Sequence, residues 1–161
     1  MRRPRMLLDG LSFRRYEPRD FDQVWRLHKV ALADAGADAG EGPWEDDLRA
    51  IEDAYLASGG DFLVGEYEDR VVAMGALRRV GPADAEIARM RVHPELQRRG
   101  IGRALLELLE AGAVEMGIKH LRLDTTAVQR AAQRLYESSG YTKVGESEHL
   151  GFVVYLYEKE L

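Results

Sequence analysis

Cysteine is absent from the 161-residue chain, which excludes disulfides, zinc fingers, iron–sulfur clusters and thiol nucleophiles. Any chemistry here falls to oxygen, nitrogen or backbone groups. Proline is scarce, at 5 residues, and no low-complexity tract or internal repeat is visible. Apolar runs extend over only a few residues, far short of the roughly 20 that span a bilayer. The opening MRRPRMLLDG carries no long apolar stretch behind its arginines, so no leader or membrane partner is expected and a soluble, cytoplasmic protein is. What is present suits one folded unit: 45% hydrophobic and 32% charged residues are enough for one core, and the length predicts a single domain over residues 1–161.

The net charge of -5 does not suit a general nucleic-acid binder. Its distribution is uneven. Residues 34–69 hold twelve acids against the single base Arg49, whereas residues 78–103 hold seven arginines against Asp84, Glu86 and Glu95. No aromatic residue is interleaved with those arginines, which removes the stacking platform that single-stranded nucleic acid requires. Solvated faces are the plain reading of both blocks; an acidic and a basic half-site are the other.

Apolar periodicity predicts a strand over 13–16 and a helix capped by Asp20, with a stripe of Phe21, Val24, Trp25, His28, Ala31 and Leu32. After an Ala/Gly/Asp-rich loop, Pro43 is placed to start a second helix with Trp44, Leu48, Ile51 and Tyr55 on one side. Strands over 62–67 and 70–80 read as a hairpin turning at Glu68-Asp69, and 86–92 as the next member of the meander. A strong helix follows over 101–116, with apolar positions 101, 105, 108, 112 and 116 and Gly117 as terminator. A strand over 120–124, a helix over 129–138 and strands over 141–146 and 152–158 complete the chain. Strand 86–92, helix 101–116 and strand 120–124 make a βαβ unit, so those two strands should run parallel.

Between that strand and helix stands Gln97-Arg98-Arg99-Gly100-Ile101-Gly102. Glycines let backbone approach a bound group closely, and the free N–H groups of a helix's first turn point at it. Arg98, Arg99 and Arg103 add positive charge, so the turn reads either as an anion site suited to a pyrophosphate or as a tight turn with exposed arginines. Neither a P-loop nor the dinucleotide fingerprint is present. No pair of the four histidines has metal-ligand spacing, and no metal is expected. His28 reads as a core residue with a satisfied hydrogen bond, and Trp25, Trp44 and Tyr55 as packing residues.

The turn, the preceding EIARMRVHPEL and the following LDTTAVQRAAQRLYESSGY together resemble the GNAT superfamily of N-acetyltransferases, whose signature is Q/R-x-x-G-x-G/A between a strand and a long helix. The resemblance is strong over 62–158 and weak before residue 60. It implies an α/β fold with a mixed, mostly antiparallel sheet flanked by helices, splayed at a parallel pair where acetyl-CoA lies. It implies that the strand backbone at Met90, Arg91 and Val92 holds the pantetheine and thioester, and that the amides of Gln97, Arg98, Arg99, Gly100, Ile101 and Gly102, with Arg103 beside them, bind the pyrophosphate. Tyr136 matches the tyrosine that stabilises or protonates the departing thiolate. Gln129 stands where the family often has Asn, which puts a side-chain contact with the cofactor there in question.

The reaction so implied moves acetyl from acetyl-CoA to a primary amine, on a small molecule or a peptide, by direct attack. The absence of cysteine and of a G-x-S-x-G elbow agrees with it. Glu86 opens the central strand and matches the glutamate base of the histone-acetylating branch; otherwise it is a carboxylate paired with Arg78 or Arg89. The acidic block, placed by the resemblance at the acceptor entrance, predicts a cationic acceptor. A non-catalytic CoA-binding module is the rival reading, and a homodimer is left open.

Overall fold

The computed structural model describes residues 8–161. Seven strands form one sheet: β1 (Ser12–Arg15), β2 (Asp61–Tyr67), β3 (Arg70–Arg79), β4 (Asp84–Val92), β5 (His120–Thr126), β6 (Thr142–His149) and β7 (Phe152–Glu160), in the spatial order β1-β2-β3-β4-β5-β7-β6. Three helices, α1 (Phe21–Asp34), α2 (Ile101–Glu115) and α3 (Arg130–Ser138), pack around it. Every pairing is antiparallel except β4 with β5, as the βαβ reading requires. The β2–β3 hairpin turns at Glu68 and Asp69, both at positive φ (49° and 61°), the twist that suits a two-residue connection.

β3 explains why two helical layers are needed. Its residues from Val71 to Leu77 are buried in succession, so the strand requires apolar cover on both faces. One face meets α2 through Leu105, Leu106, Leu109 and Ala113. The other meets α1 through Val24 and Leu27, together with Leu48, Ile51 and Tyr55. Each leucine so buried contributes roughly 1.5–3 kcal/mol. The stripe read for α2 differs from the one found: Ile101 and Leu105 are buried as expected, but Leu108 is 45% exposed and its place is taken by Leu106 and Leu109. Spacing of 4 from 101 through 105, 109 and 113 follows the sheet-facing row more closely than the row through 108 and 112.

Residues 43–56 also depart from expectation. Instead of one helix there are short 3₁₀ turns at Pro43–Glu45 and Leu48–Ala50 and a π turn at Glu52–Leu56. Glu45, Asp47 and Tyr55 are each held by polar partners, those of Glu45 and Asp47 lying on α1 and β4, and these tethers override the local helical repeat.

The feature that positions the site is the brevity of the β4–β5 ladder. It runs only from Asp84–His120 to Glu86–Arg122. Beyond it β4 stays with β3 as far as Val92, and β5 stays with β7 as far as Thr126. The two strands part, and a gap opens in the middle of the sheet.

Candidate functional site

At the far end of β4 the chain turns into α2. Gly100 occupies the N-cap in the left-handed region at φ 81°, where a side chain would be strained. The first intrahelical bond runs from the Ala104 N–H to the Gly100 carbonyl at 3.1 Å, so the amides of Ile101, Gly102 and Arg103 have no acceptor within the helix. Together with the helix dipole, three such free amides are the arrangement to which an anion can be drawn. Arg98 and Arg99 are exposed beside it. Arg103 is engaged elsewhere: its Nη2 and Nη1 donate to Ser138 and Ser139 Oγ at 2.6 and 3.2 Å, tying α2 to the end of α3. Gly102 serves packing, because a Cβ there would stand 3.3 Å from Leu135 Cδ2. The Gln97 side chain donates to the Val92 carbonyl at 3.2 Å, which braces the turn against β4.

Where β4 and β5 part lies a cleft of about 610 Å³. Of the residues singled out from sequence, Glu86, Met90, Arg91, Gln129 and Tyr136 line it, while Val92 and the turn from Gln97 to Arg103 lie outside its lining. Tyr136 is buried, edge-on to Tyr141 with ring centroids 5.8 Å apart. Burial pushes its phenol up to about 12, with Arg91 pulling against that rise and Asp124 adding to it, so it stays protonated at neutral pH. The Gln129 carbonyl oxygen accepts from Thr126 Oγ1 at 2.9 Å and from the Thr126 N–H at 3.2 Å. It is committed to the turn that starts α3.

Glu86 is ion-paired with Arg78, one of the two partners expected for it, and with Arg122 rather than Arg89. Its carboxylate meets Arg78 Nη2 at 3.0 Å and Arg122 Nε at 3.4 Å. Arg89 instead donates from Nη2 and Nε to both oxygens of Asp47 at 2.6 and 2.9 Å, and the Tyr55 hydroxyl donates to Asp47 at 2.5 Å. Burial opposes ionisation of Asp47, but Arg89 wins and holds its carboxyl below the ordinary range. His28 Nε2 lies 2.8 Å from Glu45 Oε2, which also pairs with Lys29 Nζ at 2.9 Å. Burial, then the charges of Arg91 and Arg89, keep the imidazole neutral. It therefore donates from Nε2 to Glu45, and its Nδ1 has no partner among the described residues, so the expected satisfaction of His28 is only half met. The acidic block does send Asp38, Glu45 and Asp47 to the cleft, but each meets a cation on α1 or β4, so no uncompensated negative wall results.

The acetyltransferase (GNAT) family model matches residues 22–141. This chain belongs to the GNAT family. Human N-acetyltransferase 8 is 36% identical over 107 residues, covering 63% of this chain and 47% of that protein; the chain spans about half the length of that relative. The acetyltransferase of Streptococcus agalactiae superposes with a TM-score of 0.87 at 21% identity, over 96% of this chain and 100% of the other. The yncA protein of Salmonella typhimurium, solved with its cofactor acetyl-CoA, does so with a TM-score of 0.78 at 20% identity, over 94% of each.

Three features of this GNAT protein's cleft escape a sequence reading. Asp124, on β5 beyond the paired segment, is a cleft carboxylate whose signal was the alternation His120, Arg122, Asp124 on one strand face. The Asp47–Arg89 fork spans 42 positions, and nothing local announces it. Arg91 is expected from sequence to act through its backbone, yet its side chain has no carboxylate partner among the described residues.

Proposed function

We propose that the protein transfers acetyl from acetyl-CoA to a primary amine by direct attack. The observation that carries this reading is the alignment of an anion site at α2 with a sheet that parts between β4 and β5, so one elongated molecule can put its phosphates on the free amides of Ile101–Arg103 and its reactive end in the cleft. Acetyl-CoA supplies an activated carbonyl on a good leaving group. The backbone of Met90, Arg91 and Val92 would hold the pantetheine arm, and Gly100 through Arg103 the pyrophosphate, with Arg98 and Arg99 at hand.

The chain's own residues then handle charge. Tyr136, protonated and facing the cleft, donates a hydrogen bond toward sulfur as negative charge develops there. A phenol held near 12 does not surrender its proton outright to a thiolate of ordinary pKa about 8.5, so stabilisation is its part. An alkylammonium of pKa near 10 must first lose a proton. Glu86, the base expected from sequence, shares its charge with Arg78 and Arg122 and is the poorer acceptor of that proton.

Release of free CoA thiol, followed with amines, polyamines, amino acids, aminoglycosides and peptides in turn, tests this reading. Amine-dependent release is the expected result. CoA binding without turnover on any amine would make the protein a CoA-binding module instead.

A further inference from the structure

The cleft's charges can be paired off. Asp38 and Glu45 meet Lys29, Glu45 also meets His28, Asp47 meets Arg89, and Glu86 meets Arg78 and Arg122. Exposed His149 aside, two lining charges remain. Arg91, on β4, has no ion pair among the described residues; its Nη1 donates to the neighbouring Met90 carbonyl at 2.9 Å, and its buried Nε has no partner. Asp124, on β5, has no hydrogen bond or ion pair from its carboxylate among the described residues, and it is open to the cleft. A guanidinium withdrawn from water without a counter-charge is costly, because lost hydration is repaid only by a partner anion. That partner is missing among the described residues and has room to arrive from the cleft.

We propose that Arg91 and Asp124 together select an acceptor carrying both an anionic carboxylate and an ammonium, that is, a free amino acid. The inference rests on the transferase reading above and names the substrate class of the same site. The two residues stand on opposite sides of the gap, and both lie near enough to Tyr136 to act on its ionisation in opposite directions. Arg91 offers planar donors matched to a carboxylate. Asp124 faces the ammonium and takes one proton from it. The freed nitrogen bonds to the acetyl carbon as the carbon–sulfur bond breaks; the nitrogen's second proton ends on sulfur, giving amide and thiol, and Asp124 returns its proton to water. The cationic acceptor read from the acidic block gives way here, since that block's cleft carboxylates are already neutralised.

Asp124 is suited to the proton. The protein around it, then the charge of Glu86, raise its carboxyl above the ordinary range, while His149 on β6, Arg89 on β4 and Arg78 on β3 pull it back. Tyr136 on α3 lies close enough for the charge of Asp124 to act on its phenol.

The experiment compares L-amino acids with their own carboxamides as acceptors for wild type, Arg91→Gln, Arg91→Lys and Asp124→Asn. In parallel, calorimetry reads binding of the same compounds in the presence of CoA. Wild type should favour the best amino acid over its amide at least tenfold in kcat/KM and in affinity. Arg91→Gln should bring that ratio close to one, and Arg91→Lys should restore part of it. Asp124→Asn should lose rate at neutral pH and recover as pH rises toward the amine's own pKa. Transfer to amides and acids alike by wild type overturns this inference and leaves the transferase reading intact. An acid preference that survives Arg91→Gln also overturns it. Absence of transfer to every compound overturns both readings.

Discussion

At the scale of single residues, the site separates packing from chemistry at Tyr136. Its ring belongs to the core beneath α2 and touches Tyr141 and Tyr157, while its hydroxyl makes no hydrogen bond among the described residues and faces the cleft. Tyr136→Phe keeps the ring and removes the donor. Turnover should fall about 10²-fold, the scale of losing one hydrogen-bond donor aimed at developing negative charge, with CoA affinity and melting temperature near wild type. Steady-state kinetics beside a thermal melt check this; turnover within threefold of wild type would make Tyr136 a packing residue. Sequence could point to Tyr136 because its motif is local, Leu135-Tyr136-Glu137 ahead of Gly140. Asp124 was not legible in the same way, since a carboxylate on a strand acquires meaning only when the neighbouring strand peels away from it.

At the scale of elements, the segment 43–56 is joined to β4 by the Asp47–Arg89 fork. Arg89 sits at positive φ, 57°, a conformation costing roughly 1–2 kcal/mol for a residue with a side chain, in the stretch where the β3–β4 register shifts. The bidentate carboxylate holds it there. Both side chains are under one-fifth exposed, at 18% and 19%, so Asp47→Asn should destabilise by about 2–4 kcal/mol, somewhat below the full cost of orphaning a buried charge. Because Asp47 is held below its unfolded value, its stabilisation is present at neutral pH and drains away as pH falls through the carboxylate range. Urea unfolding of both proteins should therefore show a difference that narrows on acidification; a difference independent of pH would mean that the fork contributes no charge-dependent stability. The same tethers explain why 43–56 does not form the single helix that its apolar spacing predicts: Glu45 and Asp47 answer to α1 and β4.

At the scale of the whole molecule, the order of elements, the parallel β4–β5 pair and the turn before α2 are legible in sequence because each leaves a periodic or glycine signature. The charge balance of the cleft is not. Twelve acids in 34–69 look like a negative wall until the fold delivers Lys29 and Arg89 to those that reach the cleft, and seven arginines in 78–103 look like one basic patch until Arg78 goes to Glu86, Arg79 to backbone carbonyls, Arg89 to Asp47 and Arg103 to the α3 terminus, leaving Arg98 and Arg99 on the exposed turn and Arg91 in the cleft. The central claim is that one gap and one helix terminus make a single acetyl-CoA site. Hydrogen–deuterium exchange of the wild-type protein with and without saturating CoA tests it without perturbing the chain. The account predicts slowed exchange at the amides of Gly100–Arg103 and along Met90–Val92. Saturated binding with both stretches unprotected, and protection confined to other elements, would contradict it.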